Sequence, residues 1–503
     1  MFRGAGQGLL AGGLLPAWMG TASAAPTTGG NLYERIGVKP LVNCKGTYTI
    51  LSGSLTLPEV KQAMDEASRH YVHMDELMEG VSRRLAELTR AEWGIVTAGC
   101  AAALTHSTSA CLAGADPEKM QRLPNLRGMK TEVVMPKESR NVYDQAIRML
   151  GVTMLTPETA DDFRRMIQRP QVAMLSLLGE TAQKHPVPLE EMVRLAHAHN
   201  VPVLVDAAAE RLTIPNFYLT KGVDLVAYSG GKCIRGPQSA GLLLGRRDLV
   251  HAAWLNSAPH HAFGRSLKID KEVTMGMLAA VEAWVRRDHD AEWKQWESWL
   301  ETIRAAVTKV PGVETKTLLP PGPSNYSPRL QISFDPQRLG ATGFEISDAL
   351  MNGTPRVMVP PGENSLTVMP YMMQPGDDKV AAKAIAGVLS NPPRRPAAPR
   401  GEDAPVAGQW DVEVTFTRGS GHHRLFLEQK GKQLAGTHVA DTLSGEVRGT
   451  IENGRVQLRS GHRYEGTRIG YRFDGVVTGG ALRGKIDLGE YGSADFVAKR
   501  SFA

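Results

Sequence analysis

The pattern of apolar and polar residues changes character twice along this chain. Between about residues 58 and 250, short unbroken apolar runs alternate with stretches of helical spacing. Seven runs stand out: "GIVTAG", "EVVMP", "VTMLT", "QVAMLSLL", "VPVLVDAA", "VDLVAYS" and "AGLLLG". Between them lie segments such as "YDQAIRML", "ADDFRRMIQ" and "LEEMVRLAHAHN", and ahead of them two helical stretches, "LPEVKQAMDEASRHY" and "DELMEGVSRRLAELTRA". A strand that is apolar throughout needs cover on both faces, and helices between parallel strands supply it. The pattern predicts an α/β fold with a mostly parallel sheet of seven strands.

The first change comes near residue 266. Residues 270–310 predict long helices ("VTMGMLAAVEAWVRR", "WKQWESWLETIRAAVTKV"), and "RLQISFD", "GFEISDALMNG", "RVMVP" and "DKVAAKAIAGVL" predict a small α+β unit. The second change is "SNPPRRPAAPRGEDAPVAG", a charged, proline-rich stretch with no hydrophobic period, read as a linker. From "QWDVEVTF" to "ADFVAKR" apolar and polar residues alternate, with glycine turns at short intervals, as in an antiparallel barrel or sandwich. The expected division is an export segment at 1–25, a large domain at 31–265, a small α+β domain at 266–390, a linker at 391–407 and an all-β domain at 408–503.

Composition adds limits. The net charge is +6, spread without any basic run carrying interleaved aromatics, so no nucleic-acid partner is expected. The start "MFRGAGQGLLAGGLLPAWMGTASAAP" has one arginine, an apolar glycine-rich stretch and the small residues Ala22-Ser23-Ala24, as in an export signal. It is too short and glycine-rich for a stable membrane span, so a periplasmic destination is expected. It also looks like the later part of a twin-arginine signal, although the arginine pair is absent. The four cysteines, Cys44, Cys100, Cys111 and Cys233, show no metal-ligand spacing, and His422, His423, His438 and His462 are scattered. No metal is assigned, and the β-domain reads as an accessory or packing module.

Three features of the α/β region carry chemistry. "VPVLVDAAAE" is an apolar strand ending in Asp206, and open α/β sheets bind ligands at that edge. Lys232 lies in "YSGGKCIRGPQSAG", a glycine-flanked turn after the next strand and at the same edge. A charge placed between two buried runs is costly unless it has a task. In "VTAGCAAALTHSTSACLAG" a strand gives way at Ala98-Gly99-Cys100 to an alanine-rich helix, whose free N–H groups and positive dipole end suit a phosphate. A phosphate cradle, a buried carboxylate and an amine are together what pyridoxal 5'-phosphate requires: Lys232 for the Schiff base, Asp206 for the ring nitrogen. Ser229, Gly230 and Gly231 can add a hydroxyl and backbone donors to the phosphate.

In these stretches the sequence resembles the selenocysteine-synthase-like (SelA-like) group of fold-type-I pyridoxal-phosphate enzymes, which includes D-glucosaminate-6-phosphate ammonia-lyase. The resemblance runs over roughly residues 31–390, on "YERIGVKPLVNCKGTYTILSGS", "HYVHMDELMEGVSRRLAELTRAEWGIVTAGCAAALTHSTSACLAG", "RNVYDQAIRMLG", "HAHNVPVLVDAAAE" and "YSGGKCIRGPQSAGLLLGR". It implies Lys232 as the Schiff-base lysine, Asp206 as the ring-nitrogen partner, and Gly99, Cys100 and Ala101 at the phosphate. It also implies Ala208 on the ring face and a homodimer or larger assembly. The sequence departs from the group in its export-like start, in Cys100 within the phosphate turn and in the β-domain. An exported protein does not meet aminoacyl-tRNA, so selenium transfer is not expected.

The cofactor fixes the type of chemistry, and the resemblance tilts the reaction toward α,β-elimination from a hydroxylated amino acid or amino-sugar acid. An aminotransferase, a racemase or a non-catalytic binding protein would share the same cofactor residues. Arg356, in "NGTPRVMV", is the first candidate for the substrate carboxylate, followed by Arg235 and Arg265.

Overall fold

The computed structural model describes residues 31–393, 401–402 and 404–501. The expected export segment and part of the linker lie outside the described residues. Strand β1 (Leu41–Asn43) comes first in the chain and belongs, by pairing, to the small unit described below. The seven apolar runs form the main sheet: β2 (Trp93–Thr97), β3 (Glu132–Val134), β4 (Thr153–Leu155), β5 (Val172–Leu178), β6 (Val203–Asp206), β7 (Leu225–Ser229) and β8 (Gly241–Gly245). Their order is β2-β8-β7-β6-β5-β3-β4. Strand β8 runs antiparallel to both its neighbours, and every other pairing is parallel.

This single reversal places the functional edge. Because β8 lies reversed between β7 and β2, those two strands run the same way, and β2, β5, β6 and β7 all end along one side. Thr97 stands opposite Gly241, Gly241 opposite Ser229, and Asp206 opposite Ala227. The start of the helix after β2, the turn after β7 and the carboxylate ending β6 therefore lie side by side, where open sheets of this kind take ligands.

The helix after β2, Gly99–Ala113, packs on β7, β8 and the helix Arg247–Leu255. It has no polar face because nearly all of it is buried. Its alanines, serines and threonines allow close approach, and three of the hydroxyls are satisfied inside: Thr108 donates to Leu104 O (2.8 Å), Ser109 to Thr105 O (2.9 Å) and Thr105 to Ala146 O (2.9 Å).

The small unit contains β9 (Glu314–Leu318), β10 (Arg329–Ser333), β11 (Arg356–Met358) and β12 (Ser365–Val368). Strands β12-β10-β9 make an antiparallel sheet, and β11 pairs in parallel with β1, so residues 41–43 are tied to the small unit. The sequence pattern had given no sign of this.

The C-terminal segment is a closed antiparallel barrel, each strand pairing with the next and the last with the first. Its strands are β13 (Gly408–Thr415), β14 (Ser420–Lys430), β15 (Gln433–Val439), β16 (Ser444–Glu452), β17 (Arg455–Tyr464), β18 (Thr467–Thr478), β19 (Ala481–Asp487) and β20 (Ser493–Arg500). Trp410, Leu425, Leu458, Phe473 and Phe496 fill the interior. Three of the scattered histidines converge there. His423 Nδ1 lies 3.0 Å from His438 Nε2, His438 Nδ1 lies 3.1 Å from Ser460 Oγ, and His462 Nε2 lies 3.2 Å from His438 O. The period-two alternation turns His423 inward and His422 outward, so the signal was in the strand pattern. Among the described residues no group of three or more His, Cys, Asp or Glu is arranged to hold a metal ion, and no helix is long and apolar enough to cross a membrane.

These buried imidazoles make the barrel acid-sensitive. Burial lowers all three, and the neighbouring imidazoles help bring His438 down to about 3 from 6.5. The unfolded chain takes up protons near its ordinary value while the folded barrel does not, so stability is full above about pH 6.5 and lost as the pH falls toward about 3. Hydrogen exchange of peptides from β14, β15 and β17 is expected to show loss of protection on acidification through this window. The loss should be smaller in His438→Asn.

Candidate active site

The turn carrying Lys232 is held from several directions. Gly230 N–H donates to Ala240 O (2.8 Å), Gly236 N–H to Gly230 O (2.8 Å) and Arg235 N–H to Lys232 O (3.0 Å), closing the turn on itself. Ser54 N–H donates to Gly231 O (2.9 Å). With its amide oriented to donate, Gln238 reaches Ser52 O (3.3 Å) and Gly231 O (3.2 Å). From the far side Arg287 donates to Cys233 O (3.0 Å) and Ile234 O (3.2 Å). Gly231 has no room for a side chain: a Cβ would stand 2.1 Å from Gln238 Oε1 and 2.7 Å from its Cα. Arg235 lies in the left-handed region (φ 59°), uncommon for a residue with a side chain and a mark of a constrained turn.

Asp206 is 6% exposed. Its Oδ1 accepts from Ala208 N–H (3.0 Å) and from the Cys100 thiol (3.6 Å), and no hydrogen bond or ion pair reaches the other oxygen among the described residues. Burial pushes this carboxyl above its usual range, against the Ala208 N–H and the nearby Lys232 charge, which pull it down. Burial pushes the Cys100 thiol far up, so it stands beside Asp206 as a protonated donor.

Cys100 belongs to the first turn of the Gly99–Ala113 helix. That helix has no side-chain cap at Ala98, and Gly99 takes φ 84° as the chain turns into it. The start of β8 approaches so closely that a Cβ on Gly241 would lie 2.4 Å from Gly99 O. Ala101 and Ser239 are exposed beside it, and Ser229 is half-buried. Gly230 N–H is engaged by Ala240, so it is not a free donor.

The sequence-chosen arginines separate. Arg235 donates to Tyr371 O (2.8 Å), pairs with Glu292 (3.1 Å) and lines a cavity of about 310 Å³ beside the lysine turn. Arg356 lies elsewhere, on β11, where its Nη1 reaches Lys39 O at 3.4 Å; Arg265 is exposed. The cavity brings in residues that the sequence reading passed over: Arg211, Arg287, Trp293 and Tyr326. The Arg211 guanidinium sits 4.8 Å over the Tyr326 ring, and neither Arg211 nor Arg287 has a carboxylate within ion-pair distance among the described residues. The Tyr371 hydroxyl, pushed up to about 12 chiefly by burial, bonds Thr47 Oγ1 (2.9 Å) and Asn325.

Two further groups escaped the sequence reading. Tyr143 is half-exposed, and its phenol is raised by burial and by the nearby Asp206 and Cys100. Glu210 is buried, accepts from the Tyr218 hydroxyl (2.6 Å) and is pushed up to about 7, chiefly by burial.

A buried carboxylate with no ion-pair partner, an uncapped helix start and a rigid lysine turn on one sheet edge are the arrangement expected of the fold-type-I class of α/β protein. The sequence model of the family described as "SelA: L-seryl-tRNA selenium transferase" matches residues 177–305. The chain is similar to a 5'-C-glycyluridine monooxygenase-decarboxylase of Streptomyces sp, at 28% identity over 71% of this chain and 92% of the relative. It is similar to a D-glucosaminate-6-phosphate ammonia lyase of Salmonella typhimurium, at 28% identity over 56% of this chain and 77% of the relative. In three dimensions it shares the fold of a solved D-glucosaminate-6-phosphate ammonia-lyase, with a TM-score of 0.64 and 23% identity over 72% of this chain and 98% of that one. The chain thus resembles SelA-like proteins in sequence and has the fold of the solved ammonia-lyase, a fold-type-I architecture whose enzymes use pyridoxal 5'-phosphate.

The residues present fit that cofactor. The free oxygen of Asp206 suits a protonated ring nitrogen, and the uncapped helix start beside exposed Ala101 suits a phosphate. Replacing Asp206→Asn removes the charge and keeps the shape. It is expected to weaken pyridoxal-phosphate binding by roughly 10²-fold in an absorbance titration of the apoprotein, an order set by pairing a buried charge, while the fold is retained. Gly231→Ala is expected to cost roughly 1–3 kcal/mol in chemical denaturation, because Gln238 and the turn must shift.

Proposed function

We propose that the protein is a pyridoxal-phosphate-dependent lyase that removes ammonia by α,β-elimination from a hydroxylated amino acid or amino-sugar acid. The observation that carries this reading is the cavity beside the Lys232 turn, where the guanidinium groups of Arg211, Arg235 and Arg287 and several aromatic rings outnumber the carboxylates Asp290 and Glu292, on a fold whose sheet edge also carries the buried carboxylate Asp206. When bound, pyridoxal phosphate supplies a sink for the electrons left at the substrate Cα.

The chain's own residues do the rest. Lys232 attaches the cofactor and, once released, moves the Cα proton. Asp206 keeps its negative charge against the ring nitrogen, with Ala208 on the ring face. Gly99, Cys100 and Ala101 would hold the phosphate by backbone N–H groups, and Ser229 and Gly231 could add to them. In the cavity, Arg211 and Arg287 orient an anionic substrate group while Trp293 and Tyr326 exclude water and flank its carbon chain. Arg235 braces this wall through Glu292 and Tyr371. Arg356 and Arg265 have no part in this cavity.

The overall change takes a 2-amino-3-hydroxy acid to a 2-oxo acid and ammonia, with no oxidant. A second reading, oxidative decarboxylation, is favoured by the likeness to a monooxygenase-decarboxylase that this chain covers over 92% of its length. Oxygen uptake separates the two readings.

The exposed apolar residues Tyr48, Ile50, Leu55, Tyr71 and Val72 support a homodimer. Export to the periplasm remains the proposed location.

The test is a panel of hydroxylated amino acids and amino-sugar acids with the cofactor-loaded protein, assayed for ammonia and 2-oxo acid with and without oxygen. Equal ammonia release under both conditions is expected; release that requires oxygen would overturn the elimination reading. Arg211→Ala is expected to raise KM about tenfold or more with a smaller change in kcat, as the loss of a group that holds substrate and transition state alike.

A further inference from the structure

The barrel is not free of the large domain. Its β17–β18 hairpin turns at Glu465-Gly466, with Tyr464 paired to Thr467. Gly466 presses against the segment after β3: a Cβ there would stand 2.2 Å from Asn141 O and 2.5 Å from Asp144 Oδ2. Glu465 forms an ion pair with Arg140, and the Arg148 guanidinium lies 5.8 Å over the Tyr464 ring.

These contacts close a network of four charges. Asp144, whose side chain is wholly buried, accepts from Arg140 Nε at 2.7 Å and from Arg148 Nε at 2.8 Å. Arg140 also donates to Thr156 Oγ1 (2.8 Å). Both arginine side chains are largely buried, 13% and 15% exposed. Two such cations need two anions, and within the segment only Asp144 pairs with them. The barrel's Glu465 is the second carboxylate. Without it a buried positive charge would be left uncompensated, the costly condition for an ion-pair network.

The same segment carries Tyr143. Asn141 Oδ1 accepts from Tyr143 N–H at 2.8 Å, fixing the short turn from which the phenol projects. Burial raises this phenol most, and Asp206, Cys100 and, in the barrel's β19–β20 loop, Glu490 add to the rise. Tyr143 is thus the residue of this segment that feels both the cofactor carboxylate and the barrel.

We propose that the C-terminal barrel is a working part of the active site: its hairpin tip, Glu465-Gly466, fixes the Arg140–Arg148 segment and so positions Tyr143 against the bound cofactor. Glu465 and Gly466 are positioning residues, and Tyr143 is the group they set in place. A packing module with no such role would not need its tip to complete a charge network buried in the other domain. This inference rests on the pyridoxal-phosphate reading and extends it to the domain outside the shared fold.

The test measures pyridoxal-phosphate dissociation constants of the full-length apoprotein by absorbance titration, so no substrate is required. Glu465→Gln and Gly466→Val are each expected to weaken binding about tenfold, within the range of energies between coupled groups. Glu465→Asp should recover part of the loss. Glu452→Gln, which breaks only the exposed pair with Lys432 on the same barrel, should change nothing. In a Tyr143→Ala background, Glu465→Gln should have no further effect, the signature of action through Tyr143. Circular dichroism of each variant verifies that the barrel remains folded.

Wild-type binding with both hairpin variants unchanged would overturn this inference alone. So would a Glu465→Gln effect that persists in full without Tyr143. A wild-type protein that binds no pyridoxal phosphate would overturn the cofactor reading and this inference with it.

Discussion

A buried carboxylate with no cation in direct contact is the constraint on which the site depends. Asp206 ends a strand in the middle of the sheet, where water cannot compensate its charge. Its local partners are one backbone N–H and one thiol, too few for an ionised carboxylate in such a place. The neighbouring architecture follows from this. The reversed β8 brings the helix start beside it, and β7 brings the lysine turn to the same edge. The free oxygen of Asp206 would suit the cationic ring nitrogen of the cofactor used by this class.

Rigidity around the lysine is the second theme. The turn receives hydrogen bonds from residues near the N-terminus of the described chain, from Gln238 within its own loop and from Arg287 at the end of the long helix Lys271–Arg286. Arg287 therefore has two faces: it anchors the lysine turn from behind and presents a guanidinium to the cavity. Groups held by packing and hydrogen bonds need not be ordered when a ligand arrives, and this is how a fixed site lowers the cost of binding and reaction. The barrel's hairpin extends the same logic to Tyr143, from outside the fold shared with the solved ammonia-lyase.

Much of this was legible in the sequence, for physical reasons that can be named. Strands buried on both faces write themselves as unbroken apolar runs, so six of the seven stood out this way, the edge strand β4 being partly exposed, and the barrel's eight strands followed from alternation and glycine turns. Asp206 and Lys232 stood out because a charge at the end of an apolar run contradicts the pattern around it. What could not be read depends on tertiary packing. The reversal of β8, the pairing of residues 41–43 with β11 and the meeting of Arg211 with Tyr326 leave no local trace. Arg356 shows the limit from the other side: its sequence context resembles a ligand-binding arginine, but its contacts are with Lys39 at the small unit's edge.

The most direct test of the account is borohydride reduction of the cofactor-loaded protein, followed by peptide mass mapping. A single pyridoxyl group is expected, fixed on the peptide that contains Lys232 and absent from Lys232→Ala. A label on another lysine, or a protein that takes up no pyridoxal phosphate at all, would contradict it.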